Sequence, residues 1–167
     1  GSDVSAARRI SLSAAQAIFK THLPASLPFS PNGELAGRTH EALIEQAVSR
    51  LYAPNADNAL CRLRFRDGKE RTIAARELVS GRFIAQVCER AIDRSFARDV
   101  RGGEPGLTAA DMEAALEEGL DRLRTTLTPR NAHEHLADLP QDLDVVSVEP
   151  ITRKVTNRRR YVTLEAI

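Results

Sequence analysis

The sequence predicts a mainly α (α+β) protein: a helical domain that carries one β-hairpin and ends in a short β-rich tail. Three observations predict it. Apolar residues recur at helical spacing in four separate stretches. One stretch, "LCRLRFRDGKERTIA", changes to a period of two and turns at Asp67-Gly68. Two short β-like runs, Val145 to Val148 and Arg160 to Leu164, lie near the end of the chain.

In chain order, Ser11 and Ser13 are candidate N-caps for a helix from about Leu12 to His22. Its apolar side is Ala14, Ala15, Ile18 and Phe19, continued one turn on by His22 or Leu23. "LPASLPFSPNGE", with three prolines, reads as a loop. A second helix follows from Arg38 to Tyr52, with Ala42, Leu43, Ala47, Val48 and Leu51 inward. In the hairpin, residues 60–74, Cys61, Leu63 and Phe65 form an apolar face that should lie on the helices, and Arg62, Arg64 and Arg66 a wet one. A third helix runs from Gly81 to about Arg98, with Phe83, Ile84, Val87, Cys88, Ala91, Ile92 and Phe96 on its expected buried stripe. A fourth opens with Thr108 as N-cap and Asp111 at the third helical position, close to a capping box, and turns Met112, Ala115, Leu116, Leu120 and Leu123 inward. The tail is expected to form a second hairpin or to join the first in a small sheet. The expected division is a helical domain over 3–140 and a β-rich tail over 141–167, with Gly1 and Ser2 a cloning scar on a fragment of a longer protein.

The totals exclude several classes of function. The 24 basic and 23 acidic residues leave a net charge of +1, which supplies no global field to gather nucleic acid or an anionic membrane. With 4% aromatic residues and no tryptophan, a stacking platform for single strands is not expected. Neither a signal peptide nor a membrane-length apolar run is present, so a cytoplasmic protein without a membrane partner is expected. Cys61 and Cys88 sit in apolar patterns and read as buried thiols. The chain lacks GxxxxGK[ST] and the paired acids that hold magnesium, so alone it is not expected to be an enzyme. His133 and His135 would share a face in a strand and diverge in a helix, with no third ligand at a recognisable spacing. The basic run "RKVTNRRR", residues 153–160, reads first as a solvated hairpin tip.

One local feature asks for a reason. "SGRFIAQVCERA", residues 80–91, opens a helix on Ser80-Gly81 and puts Arg82 in the first turn, where the helix dipole favours an anion. Either the helix start faces a phosphate or nucleotide, or the glycine only ends a tight loop.

Three stretches in order, "AAQAIFKTHL", "SGRFIAQVCERA" and "LTAADMEAALEE", resemble the small helical lid of AAA ATPases. The second resembles the lid signature S-G-A-D-I-x-x-L-C-x-x-A. Within that class the chain is most similar to the actinobacterial proteasomal ATPases, hexameric unfoldases whose lid is interrupted by a hairpin like the one at 60–74. "ALIEQAVSRLYAPNADN" before the hairpin and "RRRYVTLEAI" at the end extend the likeness over roughly residues 9–165.

The resemblance implies a lid that closes over ATP, with magnesium held by a large subdomain absent from this chain. It implies His22 near adenine and ribose, and Ser80, Gly81 and Arg82 near the nucleotide. Arg82 departs from the alanine usual in the signature, and phosphate sensor and surface cation both stand as readings. Implied partners are the chain's own large subdomain, the neighbouring subunits of a homo-hexamer, protein clients and a proteasome-like protease. The proteasomal ATPases finish in Gly-Gln-Tyr-Leu whereas this chain ends "TLEAI", which leaves the protease open. The alternative is a stand-alone helical adaptor that binds protein or nucleic acid.

Overall fold

The computed structural model describes residues 10–31, 38–54 and 56–152. The β-like run at 160–164 and the basic run at 153–160 lie outside them. The elements are α1 (Leu12–His22), α2 (His40–Tyr52), a 3-10 turn (Ala56–Asn58), β1 (Ala59–Phe65), β2 (Glu70–Ala74), α3 (Ala75–Leu78), α4 (Gly81–Val100), α5 (Ala109–Arg124), α6 (Ala132–His135) and β3 (Val145–Pro150).

The helices start where capping side chains stand. The hydroxyls of Ser11 and Thr39 accept hydrogen bonds from the amides of Ala14 (3.1 Å) and Ala42 (3.2 Å). Thr108 and Asp111 complete a reciprocal capping box: the Asp111 amide donates to the Thr108 hydroxyl at 3.1 Å, and the Thr108 amide to the Asp111 carboxylate at 2.9 Å. Asn58, fully buried, closes the end of α2 by donating to the carbonyls of Arg50 (2.9 Å) and Ala53 (2.8 Å). At the end of α1 the inward position belongs to Leu23, and His22 is exposed.

The helices enclose one core in which Phe19, Leu51, Ile84 and Leu116 are among the buried residues, and α1 and α5 both pack on α4. The stripe of α4 is Phe83, Ile84, Val87, Cys88, Ala91 and Ser95. Phe96, expected on that stripe, is 67% exposed. The line 84, 88, 91, 95 keeps helical period, and Phe96 lies roughly 100° round the helix from Ser95. Ser95 takes the inward place and donates its hydroxyl to the Ile92 carbonyl at 2.8 Å.

The proline-containing loop after α1 is held in place. Phe29 stacks on the His40 ring at 4.3 Å. The segment also pairs with the loop before α5, where the Ser30 amide donates to the Leu107 carbonyl and the Leu107 amide to the Pro28 carbonyl, each at 2.9 Å.

The sheet is antiparallel in the order β2-β1-β3, so β3 joins the hairpin across β1. Gly68, at φ +89°, makes the hairpin turn, and the Phe65 amide closes it on the Lys69 carbonyl at 2.9 Å. A bulge at Leu60 lets two consecutive residues of β1 point inward, Leu60 to the helical core and Cys61 to a second core.

That second core corrects an expectation. The apolar face of the hairpin, with Cys61, Leu63, Phe65 and Ile73, is extended by Val145 of β3 and covered by Leu127, Ala132, Leu136 and Leu139 rather than by the main helices. The covering segment is anchored by Asn131, whose carboxamide accepts from the Thr128 amide (2.7 Å) and donates to the Thr126 carbonyl (2.9 Å). Such a segment has no hydrophobic period and is silent to pattern reading. The arginine face is wet as expected, and Arg64 pairs with Glu70 at 3.1 Å and Arg66 with Asp144 at 3.5 Å.

Candidate functional site

The start of α4 is built by two hydrogen bonds to Ser80. The Ser80 backbone is extended, and its hydroxyl accepts the Phe83 amide at 3.1 Å. The Ser80 carbonyl accepts the Ile84 amide at 3.1 Å. Of the first four amides of this helix, those of Gly81 and Arg82 are then left without an intrahelical acceptor. They stand at the electropositive end of a 20-residue helix that has no acidic residue in its first turn.

Gly81 itself adopts no left-handed backbone, and a Cβ built there would meet only the Ile18 side-chain tip, at 3.4 Å. That is an ordinary contact. Neither the backbone nor the packing of the described chain asks for a glycine at this position, although glycine is a poor helix former. Ser80 and Arg82 are exposed and Gly81 is half-buried. The site therefore offers two backbone donors, a hydroxyl and a guanidinium around a position without a side chain, a set suited to a phosphate-bearing ligand.

Ile18 also ties the site to α1. His22 follows it by one turn, so both lie on the same face of that helix. The structure thus brings Ser80, Gly81 and Arg82 together and sets the face of α1 that carries His22 against their helix start. Sequence reading placed Ile18 in the core and did not foresee this contact.

The other candidates are accounted for differently. Cys61 and Cys88 are buried free thiols. Burial, with the nearby Glu77 carboxylate, pushes Cys61 up to about 11, and burial pushes Cys88 up to about 12, so both stay protonated and unreactive at neutral pH. His133 and His135 fall on the single helical turn of α6 and diverge, and the His133 Nε2 lies 3.0 Å from the Pro140 carbonyl. No group of three metal-ligating side chains occurs among the described residues. None of the helices among them is long and apolar enough to cross a membrane.

Comparison with known proteins gives one family and several relatives. Residues 11–141 match the family model described as the ARC, AAA+ ATPase lid domain. Over 152 residues, 85% of this chain, the sequence is 30% identical to an "AAA ATPase forming ring-shaped complexes" of Corynebacterium kroppenstedtii, 27% of whose length is covered. It is 32% identical over 99 residues to a "Proteasome-associated ATPase" of Mycobacterium avium, covering 56% of this chain and 16% of that protein. A protein of the same description from Thermomonospora curvata is 27% identical over 107 residues, 61% of this chain and 18% of its own. The chain thus spans about a quarter or less of the relatives it matches.

Proposed function

The chain belongs to the ARC AAA+ ATPase lid domain family, and on that premise we propose that it is the nucleotide-closing lid of a ring-forming AAA ATPase. In this reading Gly81 lets the backbone at the start of α4 come up against bound ATP. The free amides of Gly81 and Arg82, with the Ser80 hydroxyl, face the nucleotide, and His22 stands beside adenine and ribose. Magnesium and the phosphate-binding loop belong to a large subdomain outside this chain, and the lid carries hydrolysis to the neighbouring subunits of a homo-hexamer as a rigid-body rotation. The names of its relatives, an ATPase that forms ring-shaped complexes and a proteasome-associated ATPase, support a ring and a proteasome-like partner. In this reading the ring unfolds protein clients in the cytoplasm of a bacterium and passes them to that protease.

The observation that carries the reading is Gly81, a glycine at an open helix start that the described chain does not itself require. Among the described residues no comparable observation favours a nucleic-acid adaptor: Arg62 and Arg64 lie 3.8 Å and 3.1 Å from Glu70 and Arg66 pairs with Asp144, and the basic run at 153–160 lies outside those residues. The test is Gly81→Asp. An aspartate in the first turn of a helix suits the dipole, so the isolated chain should fold as well as the parent sequence does. In the full-length protein the same carboxylate faces the phosphates, and ATP affinity should fall by about tenfold or more. ATP titrated into both full-length proteins checks it, and equal affinities would remove the reason for placing the nucleotide here.

A further inference from the structure

We propose that Gly119, in the middle of α5, is a positioning residue for the nucleotide-facing turn of α4. The inference rests on the lid reading and extends it to a residue that makes no contact with the ligand. Gly119 is buried and its φ is not positive, so the backbone does not require glycine there. Glycine is among the poorest helix formers, so its place inside a helix asks for a reason. The space explains it: a Cβ at 119 would lie 2.7 Å from Phe83 Cε2, 3.0 Å from Phe83 Cζ and 3.2 Å from Val87 Cγ2. The Phe83 ring therefore sits in a notch that only glycine leaves open.

Phe83 links that notch to the site. It follows Gly81 and Arg82 directly, is 6% exposed, and its amide is the donor held by the Ser80 hydroxyl. Seating its ring on Gly119 fixes how far the first turn of α4 stands from α5, and Ser80, Gly81 and Arg82 move with that turn. Toward α1, a Cβ at Gly81 would lie 3.4 Å from the Ile18 tip, so the turn lies between α1 and α5. A methyl at 119 pushes the ring outward by several tenths of an ångström, because packed interiors leave no slack to absorb it. The two free amides are then presented at a different place.

The experiment measures ATP affinity and thermal unfolding of the full-length protein for Gly119→Ala, Phe83→Leu and the double variant. Gly119→Ala should weaken ATP binding by about fivefold per folded molecule. Phe83→Leu, which removes the ring atoms and introduces no clash, should weaken it too, because the notch is left unfilled. In the double variant the methyl occupies space vacated by the ring, and affinity should return to within about twofold of the parent. Unchanged affinity in Phe83→Leu, or a Gly119→Ala variant that loses only melting temperature, would overturn the positioning role. If Gly81→Asp binds ATP normally, the lid reading itself fails; if Gly81→Asp loses ATP while Gly119→Ala and Phe83→Leu keep it, only the positioning role fails.

Discussion

Replacing Gly106 by alanine is expected to destabilise the chain by about 3 kcal/mol or more, a loss of at least about 6 °C in melting temperature for a domain of this size. Two separate causes act at that position. The backbone is left-handed, at φ +91°, a conformation that an L side chain adopts only with strain. A Cβ would also lie 2.7 Å from the Phe29 carbonyl carbon and the Ser30 amide nitrogen, and 2.8 Å from the Phe29 oxygen. These are backbone atoms of the strand-like pairing between residues 28–30 and Leu107, and no rotamer change can clear them. The pairing joins the loop that leaves α1 to the segment that starts α5. Thermal unfolding of the isolated chain reads the loss, and a melting temperature within about 2 °C of the parent would contradict it.

Arg98→Leu should destabilise by about 3 kcal/mol through a different route, the stranding of a buried charge. The guanidinium grips the Asp111 carboxylate through two hydrogen bonds, 2.6 and 2.9 Å, and donates to the carbonyls of Glu104 (2.8 Å) and Gly106 (2.6 Å). One side chain thus ties the end of α4, the following loop and the cap of α5. Asp111 is 2% exposed. Burial would raise its carboxyl, but the Arg98 hydrogen bonds, with those from Thr108, outweigh this and hold it below the ordinary 3.8. Because the folded value is the lower one, the contribution to stability is present above that ordinary value and is lost as pH falls through the folded value. Acid titration of unfolding should therefore show a component below pH 3.8 that Asp111→Asn removes. An identical acid limb in that variant would contradict the assignment.

Legibility in the sequence followed physical cause. The four long helices are plain because each buries one stripe at helical period, and the capping box at Thr108 and Asp111 is a local pattern. Phe96 misleads because it is apolar and sits one residue beyond the true stripe, where Ser95 faces inward. The cover of the sheet by Leu127, Ala132, Leu136 and Leu139 has no period to read, being a run of turns held by Asn131. Ser80 and Gly81 were visible as a helix opened on a glycine, and His22 only through resemblance. The contact of Ile18 with the start of α4 joins distant segments and leaves no local mark. Gly119 did leave one, a lone glycine inside "ALEEGLDRL", which in a helix asks for a packing reason.

The central claim is that Gly81 is a glycine for the sake of the nucleotide and not of the fold. Gly81→Ala tests it most directly, since it adds one methyl and no charge. The structure gives that methyl an ordinary contact with Ile18 and nothing else within 4 Å, so the melting temperature should hold or rise. ATP affinity of the full-length protein should nonetheless fall, by about tenfold. A variant as stable as the parent that binds ATP as tightly would contradict the account.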